Sequence, residues 1–136
     1  GRYAENLDGF RLAHNNPIRS PMDHGVVVAL SSDILPIGPM VGLYAAVTRK
    51  GMSGAVYGPE EAISIDQALR AYTSIGAFIN FDEDIKGTLE TGKYADMIVL
   101  SEDILSIDPE RILDVDVLQT FLGGELVFEK TPANNQ

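Results

Sequence analysis

The stretch Val26-Val27-Val28-Ala29-Leu30-Ser31-Ser32-Asp33 constrains this sequence most, because five apolar residues run without alternation into two serines and a carboxylate. An unbroken, valine-rich run of this length is typical of a strand buried on both faces, as in a parallel sheet covered by helices. Gly25 before the run, and Pro36 and Gly38 after it, favour a strand over a helix. Such a strand delivers Asp33 to its carboxyl end, where the chemistry of α/β folds lies.

Helices are predicted on both sides of this strand. Asn16-Pro17 has the pattern of a helix start, with Asn16 as the N-cap, and Gly25 stands where the C′ residue of that helix belongs. Apolar residues at helical spacing predict a second helix over 41–50. Ser64-Ile65-Asp66-Gln67 is a capping box that opens a third helix, which Gly76 can stop.

The pattern changes after residue 86, where short strands replace helices. Gly123-Gly124 is a two-residue hairpin signal between two of these strands, and Asp108-Pro109 caps a short helix before them. We therefore place a domain boundary near residue 86, which divides the chain into an α/β part, 1–86, and a small antiparallel part with a polar tail, 87–136. The predicted strands of the second part cover 95–100, 115–122 and 125–129.

Charge and composition exclude several classes of partner. The formal net charge is −10, so nucleic acid and anionic membranes are poor partners, and no run of residues is long and apolar enough for a membrane span. Cysteine is absent, which excludes disulfides, a thiolate nucleophile and a cysteine zinc site. The chain begins with Gly1 rather than Met, and we expect it to be a piece or a processed product of a longer protein. A cytoplasmic location is the default expectation.

Several segments together resemble the C-terminal part of a metal-dependent amidohydrolase. More narrowly, they are similar to amidohydrolase family 3, the branch that contains N-substituted formamide deformylase and the exoenzyme-regulatory-protein-like sequences. The resemblance runs from about Pro17 to Phe128. It is carried by Ser-Ser-Asp at 31–33, Ala-Ala-Val-Thr-Arg-Lys at 45–50, Ala-Leu-Arg-Ala-Tyr-Thr at 68–73, Lys-Gly-Thr-Leu-Glu-Thr-Gly-Lys-Tyr-Ala-Asp-Met-Ile-Val-Leu at 86–100 and Thr-Phe-Leu-Gly-Gly-Glu-Leu-Val-Phe at 120–128.

The fold that this resemblance implies is a (β/α)8 barrel that carries a composite β-sandwich built from both chain ends. On that map, 26–30 is the eighth barrel strand, and 64–81 holds the helix that follows it. Residues 1–86 are then the last part of the barrel. Residues 87–136 supply the C-terminal strands of the sandwich and the tail.

The resemblance also implies a role for Asp33, which falls on the strand-eight aspartate of the family. In relatives that carboxylate contacts the catalytic metal and handles the proton of the attacking water. A divalent metal, expected to be zinc, acidifies its bound water, and the carboxylate passes the proton to the leaving nitrogen. Asp33 is therefore expected to be both a catalytic residue and a metal ligand.

The other metal ligands of the family are not in this chain. The family uses a His-x-His, a carboxylated lysine or its equivalent, and two further histidines, whereas this chain has only His14 and His24. We expect His14 to be a polar loop residue and His24 to favour the C-terminus of a helix electrostatically. The chain alone is therefore expected to bind no metal and to be inactive.

The remaining candidates each have a structural alternative. Arg49 could hold a substrate carboxylate above the barrel mouth, or be a cation at a helix end. Ser31 and Ser32 are expected to hydrogen-bond near the strand end, because no Gly-x-Ser-x-Gly elbow is present. The acidic run 82–84 could supply paired carboxylates, but such a run is most simply a solvated loop. Lys93 and Asp96 are expected to fix the turn into the following strand.

Two functions follow from these observations. The first is the C-terminal portion of an amidohydrolase that cleaves a carbon–nitrogen bond in a small, amide-like substrate. The second is a non-catalytic α/β scaffold or regulatory module that oligomerises. In either case unpaired strand edges and apolar faces are expected to be exposed, so we expect self-association or pairing with the missing N-terminal part of the same protein.

Overall fold

The computed structural model describes residues 5–32 and 38–131 of the chain. Helices dominate the first part and a three-stranded antiparallel sheet the second. Short 3-10 helices at Pro59–Glu61 and Pro109–Asp114 precede the helix α4 and the strand β2. The helices are α1 Gly9–Ala13, α2 Arg19–Asp23, α3 Pro39–Thr48, α4 Ile65–Tyr72 and α5 Ser74–Ile79, and the strands are β1 Met97–Leu100, β2 Val117–Leu122 and β3 Glu125–Glu129.

The capping box at the start of α4 is confirmed. The Gln67 amide donates to the Ser64 hydroxyl over 3.2 Å, and the Ser64 amide donates to the Gln67 side-chain oxygen over 2.9 Å. Both partners lie within one turn, so this start is determined locally. The predicted end is wrong, because α4 stops at Tyr72 and Gly76 lies inside the next helix, α5.

The helix α2 begins two residues later than the Asn16-Pro17 pattern predicts. Its N-cap is Ile18, and the amides of Ile18 and Ser20 donate to the distant Glu61 carboxylate over 2.9 Å each. A tertiary contact therefore replaces the expected Asn16 cap. Asn16 itself has a φ of 50°, which lies in the left-handed region and not in the extended region typical of an N-cap. The predicted end is confirmed, since His24 is the C-cap and Gly25 follows it.

The helix α3 is shifted two residues towards the N-terminus of the predicted range. It begins with Pro39 at a first-turn position and ends at Thr48, because Arg49 adopts a left-handed conformation. Arg49 and Lys50 thus lie beyond the last turn rather than in it. Lys50 instead pairs with Glu110 over 2.6 Å. None of the helices that the structure describes is long and apolar enough to cross a lipid bilayer.

The segment 26–30 is not a strand in this chain. It forms no hydrogen-bonded ladder with any described segment, and Val26 and Val27 are 56% and 53% exposed. The prediction of a strand buried on both faces is therefore wrong here. The physical reason is that a strand exists only beside a hydrogen-bonded neighbour, and no parallel neighbour lies within the described residues.

The sheet confirms the antiparallel prediction for the second part of the chain. Its order is β1-β2-β3, with Met97 opposite Phe121 and Phe121 opposite Leu126. Gly123 and Gly124 join β2 to β3 with φ values of 60° and 87°, as a two-residue hairpin turn requires. The sheet is incompletely buried, because apolar side chains remain exposed on all three strands, among them Ile98, Leu122, Leu126, Val127 and Phe128.

One buried cluster joins the helical part to the segment that precedes the sheet. Leu43 and Ala46 of α3 pack in the same cluster as Ile112 of the second 3-10 helix. Ile112 is 1% exposed, so solvent does not reach the cluster at the second 3-10 helix. The other buried members are Ile63, Ala68 and Ile104. The cluster thus contains residues from both sides of position 86, and the domain boundary at that position stays a prediction.

Two glycine substitutions, one in the hairpin turn and one in the helix α5, should have opposite effects on stability. Gly124→Ala should lower the free energy of unfolding by about 1 kcal/mol, because alanine disfavours the left-handed backbone that the hairpin needs. Gly76→Ala is the matched control, since nothing lies within 4 Å of its added methyl group. It should raise the same free energy by about 0.5–1 kcal/mol, because Gly76 lies within a helix. Urea unfolding followed by circular dichroism measures both, and equal effects would contradict the assignment of the turn.

Candidate functional site

The end of α4 holds the residues that lead to Asp33. The Leu30 amide donates to the Ala71 carbonyl over 3.1 Å. Two residues further on, the Ser32 side chain is near enough to the phenol of Tyr72 to lower the pKa of that phenol. The prediction that Ser32 forms a hydrogen bond near this end stays a prediction. Asp33 itself lies outside the described residues, and its role stays a prediction.

The Tyr72 phenol lies in a restricted place between this segment and α3. A methyl group built on Gly42 would overlap the phenol oxygen and lie 2.8 Å from the ring carbon Cζ. Burial raises the pKa of the Tyr72 phenol, and the influence of the Ser32 side chain opposes that rise only in part. The phenol therefore stays protonated at neutral pH and acts as a hydrogen-bonding group rather than as a base.

Arg49 contacts the backbone of two separate loops. Its Nε donates to the carbonyls of Tyr57 and Gly58 over 3.1 and 3.2 Å. Its terminal nitrogens donate to the carbonyls of Asn15 and Asn16, each over 3.2 Å. Partial burial lowers the pKa of Arg49, while the charge of Glu61 opposes this change. These contacts tie the loops together, and the substrate-binding role of Arg49 stays a prediction.

Glu61 is a functional candidate that the sequence analysis missed. It is 3% exposed, and its carboxylate accepts hydrogen bonds from the Ile18 amide, the Ser20 amide and the Ser20 hydroxyl. These bonds, led by the one from the Ser20 hydroxyl, lower the pKa of Glu61. Glu61 therefore caps α2, the helix that precedes the 26–30 segment. No local pattern marks it, because its partners lie more than 40 residues away.

The two histidines make local contacts on the surface. The ring nitrogen Nδ1 of His14 lies 2.8 Å from the Phe10 carbonyl, and that of His24 lies 2.8 Å from the Ser20 carbonyl. His24 is the C-cap of α2, in agreement with its predicted place at a helix end. Within residues 5–32 and 38–131, no group of three or more histidine, aspartate or glutamate side chains is arranged to hold a metal ion. The described residues alone therefore do not fit a metal.

Asp82 of the acidic run 82–84 and residues of the turn before β1 make structural contacts. Asp82 pairs with Lys86 over 2.8 Å, and Lys93 pairs with Glu90 over 2.8 Å. The Asp96 carboxylate accepts a hydrogen bond from the Gly123 amide over 2.7 Å. Asp96 therefore fixes the hairpin against the entry to β1, close to its predicted role.

An open groove of about 900 Å³ separates α5 from the sheet. Its walls are mainly apolar and include Ala77 of α5, Leu89 of the connecting loop and Ile98 of β1. Tyr72 reaches this groove from the end of α4. Such a wide apolar groove leaves one face of the sheet without cover.

With this geometry defined, the comparisons with known proteins decide the family. The sequence profile of the amidohydrolase family matches residues 3–128. This chain belongs to the amidohydrolase family. The family resemblance that the motifs predict is thereby confirmed, over nearly the same range.

Individual amidohydrolase relatives give the same result. The chain is 37% identical over 118 residues to N-substituted formamide deformylase from Arthrobacter pascens, a match that covers 85% of this chain and 22% of the relative. It is 31% identical over 110 residues to imidazolonepropionase from Thermoplasma volcanium, covering 81% of this chain and 26% of the relative. The chain thus spans about a quarter or less of the length of these amidohydrolases.

A solved structure supports the fold of this amidohydrolase chain. The amidohydrolase from Thermotoga maritima MSB8 superposes with a TM-score of 0.60 at 22% sequence identity. The superposition covers 80% of this chain and 24% of the solved one. The described part of the chain therefore has the fold of a corresponding part of an amidohydrolase, with mixed helices and a small antiparallel sheet.

Proposed function

We propose that this chain is part of a metal-dependent hydrolase that cleaves a carbon–nitrogen bond in a small, amide-like substrate. The observation that carries the proposal is the match to the amidohydrolase family over residues 3–128. One relative is named for an N-substituted formamide and another for imidazolonepropionate. Both compounds contain an amide-like carbon–nitrogen bond, and we expect such a bond to be the target. N-substituted formamides are therefore the first substrates to test.

Asp33 is the residue of this chain that we assign to the reaction. As water attacks the carbonyl carbon, the Asp33 carboxylate takes a proton from it. The same proton then goes to the nitrogen as the carbon–nitrogen bond breaks, so the amine leaves neutral and a carboxylic acid remains. We assign Arg49 to substrate binding, through those of its N–H groups that do not donate to the backbone.

A metal ion requires residues beyond the described ones. Asp33 is the ligand that this chain would contribute to a divalent ion, with zinc as the expected element. The described residues do not form a metal site by themselves. We therefore assign no step of the reaction to an ion and expect the 136-residue chain alone to bind none and to be inactive.

The uncovered surfaces of the chain support its completion by further polypeptide. Val26 and Val27 are exposed in a segment suited to a barrel strand, and the sheet residues Val127 and Phe128 are 57% and 48% exposed. We propose that the N-terminal part of the same protein covers them, in a (β/α)8 barrel with a composite β-sandwich. Residues 1–86 then belong to the barrel and 87–136 to the sandwich.

The same surfaces favour one alternative function. A non-catalytic scaffold that oligomerises would also cover Val127 and Phe128, with a second copy instead of another part of the same chain. The two functions differ in the mass of the natural protein and in its activity.

The native gene product from its source cells tests the proposal. The hydrolase requires an intact mass several times the 14.7 kDa of this chain and release of formate from N-substituted formamides. A natural mass near 14.7 kDa, together with oligomers in sedimentation velocity and no release of formate or amine, would support the scaffold and overturn the hydrolase. The isolated 136-residue chain serves as the control and should release neither product.

A further inference from the structure

The turn after α5 contains a buried carboxylate oxygen that has no partner. The Oε2 atom of Glu83 is shielded from solvent, yet no donor within the described residues forms a hydrogen bond with it. Most buried polar atoms in folded proteins are hydrogen-bonded, because an unpartnered one loses its contact with water and gains nothing in return. This oxygen therefore points to a group that the described residues do not include.

The backbone around Glu83 is held by contacts of its own. The Asp82 amide donates to the Ala77 carbonyl over 3.0 Å. The amides of Ile85 and Lys86 in turn donate to the Asp82 carbonyl, each over 3.0 Å. The side chains of Asp82 and Lys86 pair over 2.8 Å. These contacts fix the turn without using the Glu83 carboxylate.

The cations of the described residues already have other partners. Each lysine and each arginine in 5–32 and 38–131, apart from Arg49, pairs with a carboxylate other than that of Glu83. Arg49 donates to backbone carbonyls instead. The formal net charge of the chain is −10, so carboxylates are in excess. Over the residues that the structure describes, no cation is therefore left for Glu83.

An uncovered surface lies beside the turn that carries Glu83. Asn80 and Lys86, on either side of Glu83 in sequence, both line the open groove between α5 and the sheet. Phe81, at the start of the turn, is 92% exposed. The chain covers only 22% and 26% of the two relatives compared above, so most of the polypeptide of such a protein has no counterpart here. That polypeptide is long enough to cover both the groove and the turn.

We propose that Glu83 anchors the rest of the protein, through an ion pair between its buried carboxylate and a lysine or arginine of the polypeptide that precedes Gly1. The inference rests on the completion of the chain by further polypeptide in the proposed function, and not on the reaction assigned there. A basic partner fits because a buried carboxylate is costly unless a positive charge compensates it. The pair fixes the segment that covers the groove at the Glu83 turn.

Hydrogen exchange of the native gene product, followed by mass spectrometry, tests this pair. Glu83→Gln keeps the shape of the side chain and removes its charge. Exchange should accelerate about 10-fold in the peptide covering 82–89 and in one peptide that precedes Gly1, because a charge-assisted hydrogen bond between them is lost.

Asp84→Asn is the matched control for Glu83→Gln. It makes the same change in charge in the same turn, but Asp84 is exposed. Exchange should stay within about 2-fold of the unmodified protein in both peptides, because an exposed charge contributes little to stability. Equal acceleration in the two variants would contradict the pair, since net charge would then control exchange.

The remaining outcomes distinguish this inference from the proposed function. In a natural protein several times larger than this chain, unchanged exchange in Glu83→Gln, or acceleration in the 82–89 peptide alone, would overturn the pair and leave the hydrolase in place. Acceleration in the peptide that contains Arg2, instead of one before Gly1, would place the partner within this chain and also overturn it. A natural mass near 14.7 kDa would overturn the proposed function itself.

Discussion

Asp33→Asn should lower kcat of the native gene product by about 1,000-fold, the usual size of a general acid–base contribution. Asparagine has nearly the same shape as aspartate, but its amide cannot take a proton from water at neutral pH. The measurement is the initial rate of formate release from an N-substituted formamide at saturating substrate. Metal content, determined on the same samples by elemental analysis, separates loss of the base from loss of a bound ion.

Asp23→Asn is the matched control for Asp33→Asn. It makes the same change in charge on the surface, where Asp23 pairs with Arg19 over 3.3 Å and is 60% exposed. We expect full activity from this variant. Equal losses in the two variants would mean that net charge, rather than a proton acceptor at residue 33, controls the rate.

Glu61→Ala should destabilise the protein by about 3 kcal/mol, because the substitution leaves two part-buried amide donors without their charged acceptor. The Ile18 and Ser20 amides, which donate to Glu61 over 2.9 Å, lose this partner. Their hydrogen exchange should accelerate about 100-fold, the rate equivalent of that free energy when exchange follows local opening. Mass-spectrometric hydrogen exchange on the peptides covering α2 makes the measurement.

The contribution of Glu61 should also depend on pH in a defined direction. Its hydrogen bonds lower the pKa below the ordinary value of 4.5, so the unfolded chain binds a proton more readily than the folded one. The stabilisation is therefore complete above pH 4.5 and is lost as the pH falls through 4.5 towards the lowered pKa. The difference between the unmodified protein and Glu61→Gln should shrink across that range.

Glu60→Ala is the control for Glu61. The two glutamates are neighbours in the same 3-10 helix, but Glu60 is exposed and Glu61 is buried. We expect Glu60→Ala to leave the protection of the Ile18 and Ser20 amides unchanged. If the two variants had equal effects, the Glu61 cap would not be what holds α2.

Local patterns explain why much of the fold could be predicted from the sequence. The capping box of α4 joins residues three apart, and the Asp108 cap of the second 3-10 helix joins residues two apart. The Gly123-Gly124 turn likewise depends on the conformational freedom of adjacent residues. Each of these features depends on neighbours in sequence, and each is confirmed.

The errors of the sequence analysis lie where distant residues decide the structure. The start of α2 is set by Glu61, which is 41 residues from Ser20. The valine-rich 26–30 segment has the composition of a buried strand, but a strand also needs neighbours that the described residues do not supply. Hydrophobic composition shows which residues favour burial, whereas it does not show what will cover them.

The sequence by itself determined the family, the capped starts of α4 and of the second 3-10 helix, the hairpin turn, and Asp33 as the residue to test. Those conclusions depend on the identity and spacing of residues along the chain, which can be read before the fold is known. Only the tertiary structure showed that Glu61 caps α2 and that the Tyr72 phenol approaches Gly42 closely. Gly42 and Tyr72 are separated by 30 positions, and no local pattern indicates such a pair, because the contact exists only once α3 and α4 have packed against each other.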